Sequence, residues 1–468
     1  MKETKRRWMS FTFYDRSGIE RDLEEQAAKG WMLEKCSAAG WIYRKIEPAK
    51  IHFAVVYFPA ASAFDPGPSD QEKRFREFCE HTGWELIASN IQMQIFCNRN
   101  ENPIPIETDP EIELEHIHAS VKKTMLPTYV MDVVLACMQL GLAFWRFSHD
   151  PIGEAANSAA LLSVLFWAFL IFSCGAQIFL YYRWYWNAKK AARDGFFLET
   201  RSTDRFQICV GIFTTLAVVF LLWSFGGPNM IGIALLMVAS ILGVTALMVM
   251  LTNHLKKKQV SAKWNRVLTY GIAVVGSLLI CGIVIWLMVG VRLNHRDRTD
   301  EAEAYEYNGW TFYVYQDPIP LRIEDLMEVT YEGYSYERIS EVSSPLLSRY
   351  EARQRPRHDA LAEVAMQYRI IEVKADFLYP WVLEQMREDF DHNYGYPEDD
   401  TNWEEHRVID PNPWGAKEGY QLVLGGEEQY RYLLCYENHI IEIDLEWEPS
   451  EEQMKTIQEK LTRESEQD

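Results

Sequence analysis

The chain has 468 residues, 48% of them hydrophobic, and a formal net charge of −20. From Arg292 to the end there are 41 acidic and 18 basic residues, a net of −23, so everything before that point is close to neutral. Such acidity argues against direct nucleic-acid binding, which needs a basic surface, and is compatible with solubility, cation binding or cationic partners.

The first hundred residues carry one pattern twice. Residues 7–14 alternate as a strand, and Ser17-x-x-Glu20 reads as a capping box for a helix running to Lys29. Gly30 suits the left-handed position that ends it. Trp31–Leu33 and Trp41–Tyr43 read as two further strands. The second copy opens at Ile51–Phe58, repeats the box as Ser69-x-x-Glu72 and ends its helix at Gly83. Trp84–Ala88 and Gln92–Cys97 close it. This predicts a duplicated βαββ unit over residues 1–100, an α+β domain with two helices on an antiparallel sheet. The tryptophan after each glycine is expected in the core.

The runs Phe11-x-Phe13-Tyr14-Asp15, Gly18-Ile19-Glu20, Leu23-Glu24 and Ala27-x-Lys29-Gly30-Trp31-x-Leu33 resemble the start of the DUF2812 family, a domain of unknown function. Phe78, Gly83-Trp84-Glu85 and Ile95-Phe96 fit the same family, so the resemblance covers about residues 8–100. It implies a bacterial protein, mainly of Firmicutes, that pairs this domain with several membrane helices. It also implies a regulatory or stress-linked setting, since many members are encoded beside PadR-like regulators. The family has no established catalytic residues to carry over.

Residues 101–125 read as a linker, extended by Pro103, Pro105 and Pro110, followed by a juxtamembrane helix. His116 and His118 lie there with Glu113 and Glu115, but histidines two apart do not share a helix face. Five apolar segments of about 20 residues follow over 126–291, each long enough to cross a bilayer core: Leu126–Trp145, Ala159–Tyr182, Phe206–Phe225, Met230–Thr252 and Leu268–Val291. The second and fourth connections hold eleven basic residues and the first holds only Arg146. That bias predicts a cytoplasmic N-terminus and an external C-terminus in a bacterial plasma membrane. No apolar core follows the basic N-terminus, so no cleaved leader is expected. Polar groups inside spans are costly and often functional, which singles out Asp132, Gln139 and Gln177. Pro127 and Pro228 sit only at span edges, so the broken helices of a carrier are not expected.

Residues 292–468 read as a second, acidic α+β domain. Strands are expected at Trp310–Tyr315, Gln367–Val373, Tyr420–Leu424, Tyr430–Tyr436 and Ile440–Leu445. Helices are expected at Leu321–Met327, Pro380–Phe390 and after Ser450-x-x-Gln453. Glu404, Glu405 and His406 read as a solvated loop. Asp389, Asp391, Asn393, Glu398 and Asp400 place oxygens at alternating positions of a loop, a spacing that suggests a weak calcium site; Gly395 sits one place late for an EF-hand. There are eight cysteines, with no Cys-x-x-Cys and no zinc-ligand spacing. No phosphate loop, Gly-x-Ser-x-Gly or His-Glu-x-x-His occurs.

The fold expected is therefore a five-helix membrane bundle flanked by two α+β domains. The function expected is non-catalytic and cofactor-free: a sensor or signal relay with the lipid bilayer and a cytoplasmic protein as partners. The alternative is a transporter-like or ion-linked protein centred on Asp132.

Overall fold

The structure, a computed structural model, describes residues 3–8, 11–36, 40–200, 204–224, 228–296, 302–329, 333–358, 364–392 and 404–462. They form two compact units, one of residues 1–140 and 165–288, the other of 141–164 and 289–468.

In the first unit, β1 (Thr4–Arg7), α1 (Arg16–Ala28), β2 (Trp31–Lys35) and β3 (Trp41–Lys45) form one βαββ run. β4 (His52–Tyr57), α2 (Asp70–His81), β5 (Glu85–Asn90) and β6 (Met93–Asn98) form the next. Each run makes its own three-stranded antiparallel sheet, and both place their third strand in the middle: β1-β3-β2 and β4-β6-β5. The single sheet expected from the sequence is thus two sheets. The first strand lies at 4–7, earlier than expected, and residues 12–15 turn into α1. The cap of α1 is Asp15, whose carboxylate accepts the Gly18 N–H at 3.0 Å, and Ser17 lies inside the helix. Ser69 caps α2 as expected. Its Glu72 does not close the box; that carboxylate is buried, where it accepts from Gln94 at 2.9 Å and pairs with Arg76 at 2.5 Å. Gly30 and Gly83 end the two helices at φ +82° and +87°, the left-handed region that penalises a Cβ. Trp84 is buried, its indole N–H donating to the Ile104 carbonyl at 2.8 Å, whereas Trp31 is only half-buried.

Next come α3 (Pro110–Lys123), α4 (Met125–His149), α5 (Pro151–Ala156), α6 (Ser158–Arg193), α7 (Asp204–Ser224), α8 (Pro228–Lys257) and α9 (Ala262–Arg296). Four stretches are long and apolar enough to cross a membrane: Pro110–His149, Ser158–Arg193, Ala239–Lys257 and Ala262–Ile283. A shorter apolar stretch, Phe206–Leu216, lies in α7. Their windows are 0 to 11% buried within the protein, so these apolar surfaces need a lipid-like surrounding. α3 is no linker. Its Leu114, Ile117 and Val121 lie in the same hydrophobic core as Leu23, Leu33, Tyr43 and Ile95 of the N-terminal sheets.

In the second unit, β7 (Glu303–Tyr307) and β8 (Trp310–Val314) form a hairpin. The remaining strands make a seven-stranded antiparallel sheet: β9 (Tyr334–Ser343), β10 (Leu347–Pro356), β11 (Met366–Val373), β12 (Glu404–Val408), β13 (Glu418–Leu424), β14 (Glu427–Cys435) and β15 (His439–Leu445). Their order is β12-β13-β14-β15-β11-β10-β9. Only a short 3-10 turn, Ile323–Asp325, stands where a helix was expected at 321–327. Glu404, Glu405 and His406 belong to edge strand β12 and not to a loop. One face of the sheet packs Tyr368, Ile441 and Tyr432 against Trp414 and against Ile457 and Leu461 of α11 (Glu451–Thr462). Ser450 and Gln453 close the expected box at its start, with bonds of 3.3 and 2.8 Å. The other face packs Ile371, Leu433 and Ile440 against Val382, Met386 and Phe390 of α10 (Tyr379–His392) and against Ile152, Ala155 and Ala156 of α5.

Candidate functional site

A polar cluster of the first unit lies where the N-terminal domain meets the ends of the apolar helices. Asp15, 1% exposed, caps α1 and also accepts from the hydroxyl of Thr200, which follows α6. Arg16 pairs with Glu20 at 2.8 Å and with Glu113 of α3, and its guanidinium lies 5.0 Å from the Phe197 ring. Glu20 accepts the Val55 N–H at 2.8 Å; burial raises its carboxyl against the opposing pull of Arg16. The Tyr14 ring stands edge-on to Tyr181 at 5.0 Å and beside Trp184 at 5.1 Å, both on α6. Burial, helped by Asp15, pushes its phenol up to about 12. Tyr181 is fully buried, and its hydroxyl lies 2.5 Å from Nδ1 of His118. The indole N–H of Trp184 donates to the Leu198 carbonyl at 3.3 Å, and Arg21 pairs with Glu199 at 2.9 Å. On the other side Asn265 of α9 donates to the Phe64 carbonyl at 3.1 Å, and Lys123 donates to the Pro59 carbonyl at 2.8 Å. The domain is therefore fastened to α3, α6, the segment after α6 and α9.

The intramembrane candidates divide. Gln177 is buried and its Oε1 has no hydrogen-bond partner among the described residues; Asp132 is half-buried; Gln139 is exposed on α4. Asp132 is near enough to Tyr129 and Cys174 to act on both electrostatically. His116 pairs with Glu107 at 2.9 Å and His118 with Tyr181, so the two histidines point to different partners.

The calcium spacing does not form a loop at its start. Asp389 and Asp391 lie on the last turns of α10, and Asp389 pairs with Arg369 at 3.6 Å. Asn393, Glu398 and Asp400 fall outside the described residues. Among the described residues no three His, Cys, Asp or Glu side chains converge as a metal site.

A charged ladder crosses the second unit's sheet, and it carries no sequence motif. Glu337–Arg353 at 2.6 Å, Arg369–Glu351 at 3.9 Å, Arg369–Glu442 at 3.4 Å and Arg431–Glu442 at 2.8 Å link strands β9, β10, β11, β15 and β14. Arg431 and Glu442 are only 8 and 12% exposed, and each neutralises the other in a place poor in water. Among the cysteines outside the apolar helices, burial pushes Cys36 and Cys435 up to about 12, and Cys79 and Cys97 to about 11. These thiols stay protonated and weakly nucleophilic at neutral pH.

Residues 15–129 match a family model described as "Protein of unknown function (DUF2812)". No curated protein and no solved structure matches the chain. The matched segment runs past residue 100, through α3 and into the first turn of α4, which agrees with the place of α3 in the core. From the cap of α1 to the start of α4, the chain is similar to the DUF2812 family.

Proposed function

We propose that this is a non-catalytic relay of a bacterial plasma membrane, in which five helices couple an external C-terminal domain to a cytoplasmic DUF2812 domain that engages a protein partner. One observation carries the reading. α6 begins in the second unit and ends in the first, and both soluble cores are built on the same stretch of chain. Its last turns supply Tyr181, Trp184, Ala188 and Ala192 to the N-terminal core. Just before its first turn, α5 supplies Ile152, Ala155 and Ala156 to the C-terminal core. The Ser344 hydroxyl donates to the Ala155 carbonyl at 2.7 Å, which adds a bond to that packing.

The connections support the topology. The α4–α6 connection packs on the C-terminal sheet, while the segment after α6 and the start of α9 bond to the N-terminal domain. Alternation of this kind, with the eleven-to-one basic bias, suits an odd number of spans, α7 supplying the fifth. The shared βαββ order and identical strand order of the two N-terminal sheets support duplication of one unit.

The test is hydrogen exchange on the full chain in lipid nanodiscs. Ile152→Asp places a carboxylate in the C-terminal core and should release α5. Under the relay, exchange also rises in α3 and over Tyr181–Ala192. If the C-terminal domain loosens while those segments keep their wild-type protection, the relay is refuted.

A second reading, an ion-linked protein, is favoured by Asp132, which is half-buried on α4 and near enough to Cys174 of α6 to act on it electrostatically. Asp132→Asn would then abolish a proton or cation flux in proteoliposomes; a flux unchanged by it removes this reading.

A further inference from the structure

A cavity of about 520 Å³ opens on the C-terminal domain between the β13–β14 hairpin, the turn at Trp414 and the segment leading into α11. Its floor is aromatic. Trp414 and Tyr432 are 1 and 5% exposed, with ring centroids 4.8 Å apart, and Tyr430 stands more exposed at the side. Asp410, Glu427, Glu428 and Glu448 line it, and no Lys, Arg or His does.

The carboxylates are not balanced from within. Glu428 is held by Arg407 of β12, a guanidinium already seated at the rim. Among the described residues, Glu427 and Glu448 enter no ion pair. Their field reaches the floor: the Tyr432 phenol is pushed up to about 12, by burial first and then by Glu448, Tyr430 and Glu428. Several like charges around one concavity repel one another, and a cation entering it is attracted by all of them. A bare metal ion is not what the geometry favours, because no three of these carboxylates converge on a point. Aromatic faces beneath scattered carboxylates instead suit a cation that carries its own apolar body, with the ring quadrupoles adding to the attraction.

We propose that this cavity binds a small aliphatic ammonium compound, its charged nitrogen held by Glu427 and Glu448 and its methylenes resting on Tyr430 and the Trp414–Tyr432 floor. As the input to a relay the site rests on the function proposed above. Binding itself does not, and the experiment measures binding alone.

The full chain in nanodiscs is titrated calorimetrically with putrescine and with tetraethylammonium, at constant ionic strength set with sodium chloride. Butanediol serves as the uncharged counterpart of putrescine. Saturable binding of at least one ammonium compound is expected, with no heat from butanediol. The pair of substitutions Glu427→Gln and Glu448→Gln should weaken it about tenfold or more. Tyr430→Leu, which keeps every charge, should weaken it about threefold or more. Should the double variant fail to fold, Tyr430→Leu and the butanediol comparison decide. No saturable binding up to about 10 mM, binding indifferent to these substitutions, or equal binding of butanediol overturns the proposal.

Discussion

Replacing Tyr181 tests whether α6 belongs to the core of the DUF2812 domain or merely leads to it. The side chain is fully buried, 5.0 Å from the ring of Tyr14, 5.3 Å from Tyr182 and 6.2 Å from Trp184. Its hydroxyl is bonded to His118 at 2.5 Å. Truncating a buried aromatic costs about 3–5 kcal/mol through lost burial and the cavity left behind. Tyr181→Phe keeps the ring and removes one hydrogen bond, about 0.5–1.5 kcal/mol. The two variants should therefore differ by about 2–4 kcal/mol, or about one and a half to three decades in a local opening equilibrium. Hydrogen exchange of the intact chain in nanodiscs reads this directly in Arg16–Ala28 and in residues 194–200, which are pinned beside Tyr181 through Asp15, Trp184 and Phe197. Tyr181→Ala should speed exchange there by at least about a hundredfold, and Tyr181→Phe by no more than about tenfold. Wild-type protection of α1 in Tyr181→Ala would mean that the domain folds without α6, and the shared-core argument would fall.

The C-terminal domain should lose stability on mild acidification. Burial lowers His439 from its ordinary value of 6.5, against an opposing pull from Glu372, so the folded state holds a neutral ring. The unfolded chain takes up the proton first. Stability is thus full above about pH 6.5 and falls as pH drops from there toward the folded value. Thermal midpoints followed from about pH 7.5 to about pH 5.5 should show this decline, and His439→Gln should flatten it. In the charged ladder, Glu442→Gln strips Arg431 and Arg369 of a shared partner. Because Arg431 is nearly buried while Arg369 keeps Glu351 and Asp389, the cost should be about 2–3 kcal/mol in urea unfolding. The exposed Arg407–Glu428 pair should cost under about 1 kcal/mol when broken by Arg407→Gln.

What could be read from the sequence was local. Ser69, Ser450 with Gln453, Gly30 and Gly83 act within one turn of their own helices, so their spacing suffices. β11 and β15 were visible because apolar residues recur at alternate positions, Tyr368 and Ile370 in one and Ile441, Ile443 and Leu445 in the other. β9 and β10 were not, although they are the longest strands. Glu337, Arg349, Glu351 and Arg353 occupy positions where alternation calls for apolar or solvated groups. Glu337 pairs with Arg353, and Glu351 with Arg369, across neighbouring strands, and no local rule sees them. α3 reads as a helix but not as part of the core, because its buried Leu114, Ile117 and Val121 are set among glutamates and histidines. α5 is too short for periodicity, and what buries it lies about 190 residues further on. The Asp15 cap was missed for a simpler reason: Ser17 offered an equally good box two residues later, and only the bond from Gly18 decides between them. The candidate site suffered most, since Asp15, Arg16 and Tyr14 each reach a residue far along the chain, Thr200, Glu113 and Tyr181.

The length of α6 links these observations. Its 36 residues span about 54 Å at 1.5 Å per residue, whereas a hydrocarbon core of about 30 Å needs only about 20. The excess is not a solvated stalk. Ser173, Gln177, Tyr181, Trp184, Ala188 and Ala192 are all buried and follow one another at intervals of three or four, so a single stripe runs the length of that half. The stripe is small and polar where the helix is flanked by apolar surface, and aromatic then small where it enters the DUF2812 core. Leu165, Phe172 and Phe179 lie off it and are exposed, as residues facing lipid are. A rotation of about 100°, one residue's worth, would carry every member of the stripe out of contact together. An α-helix has no internal joint to absorb such a turn without a proline or a break in its hydrogen bonds, and α6 contains no proline. In the relay proposed above, a twist imposed at its first turn would reach the N-terminal core first at Tyr181 and Trp184, whose rings stand against Tyr14.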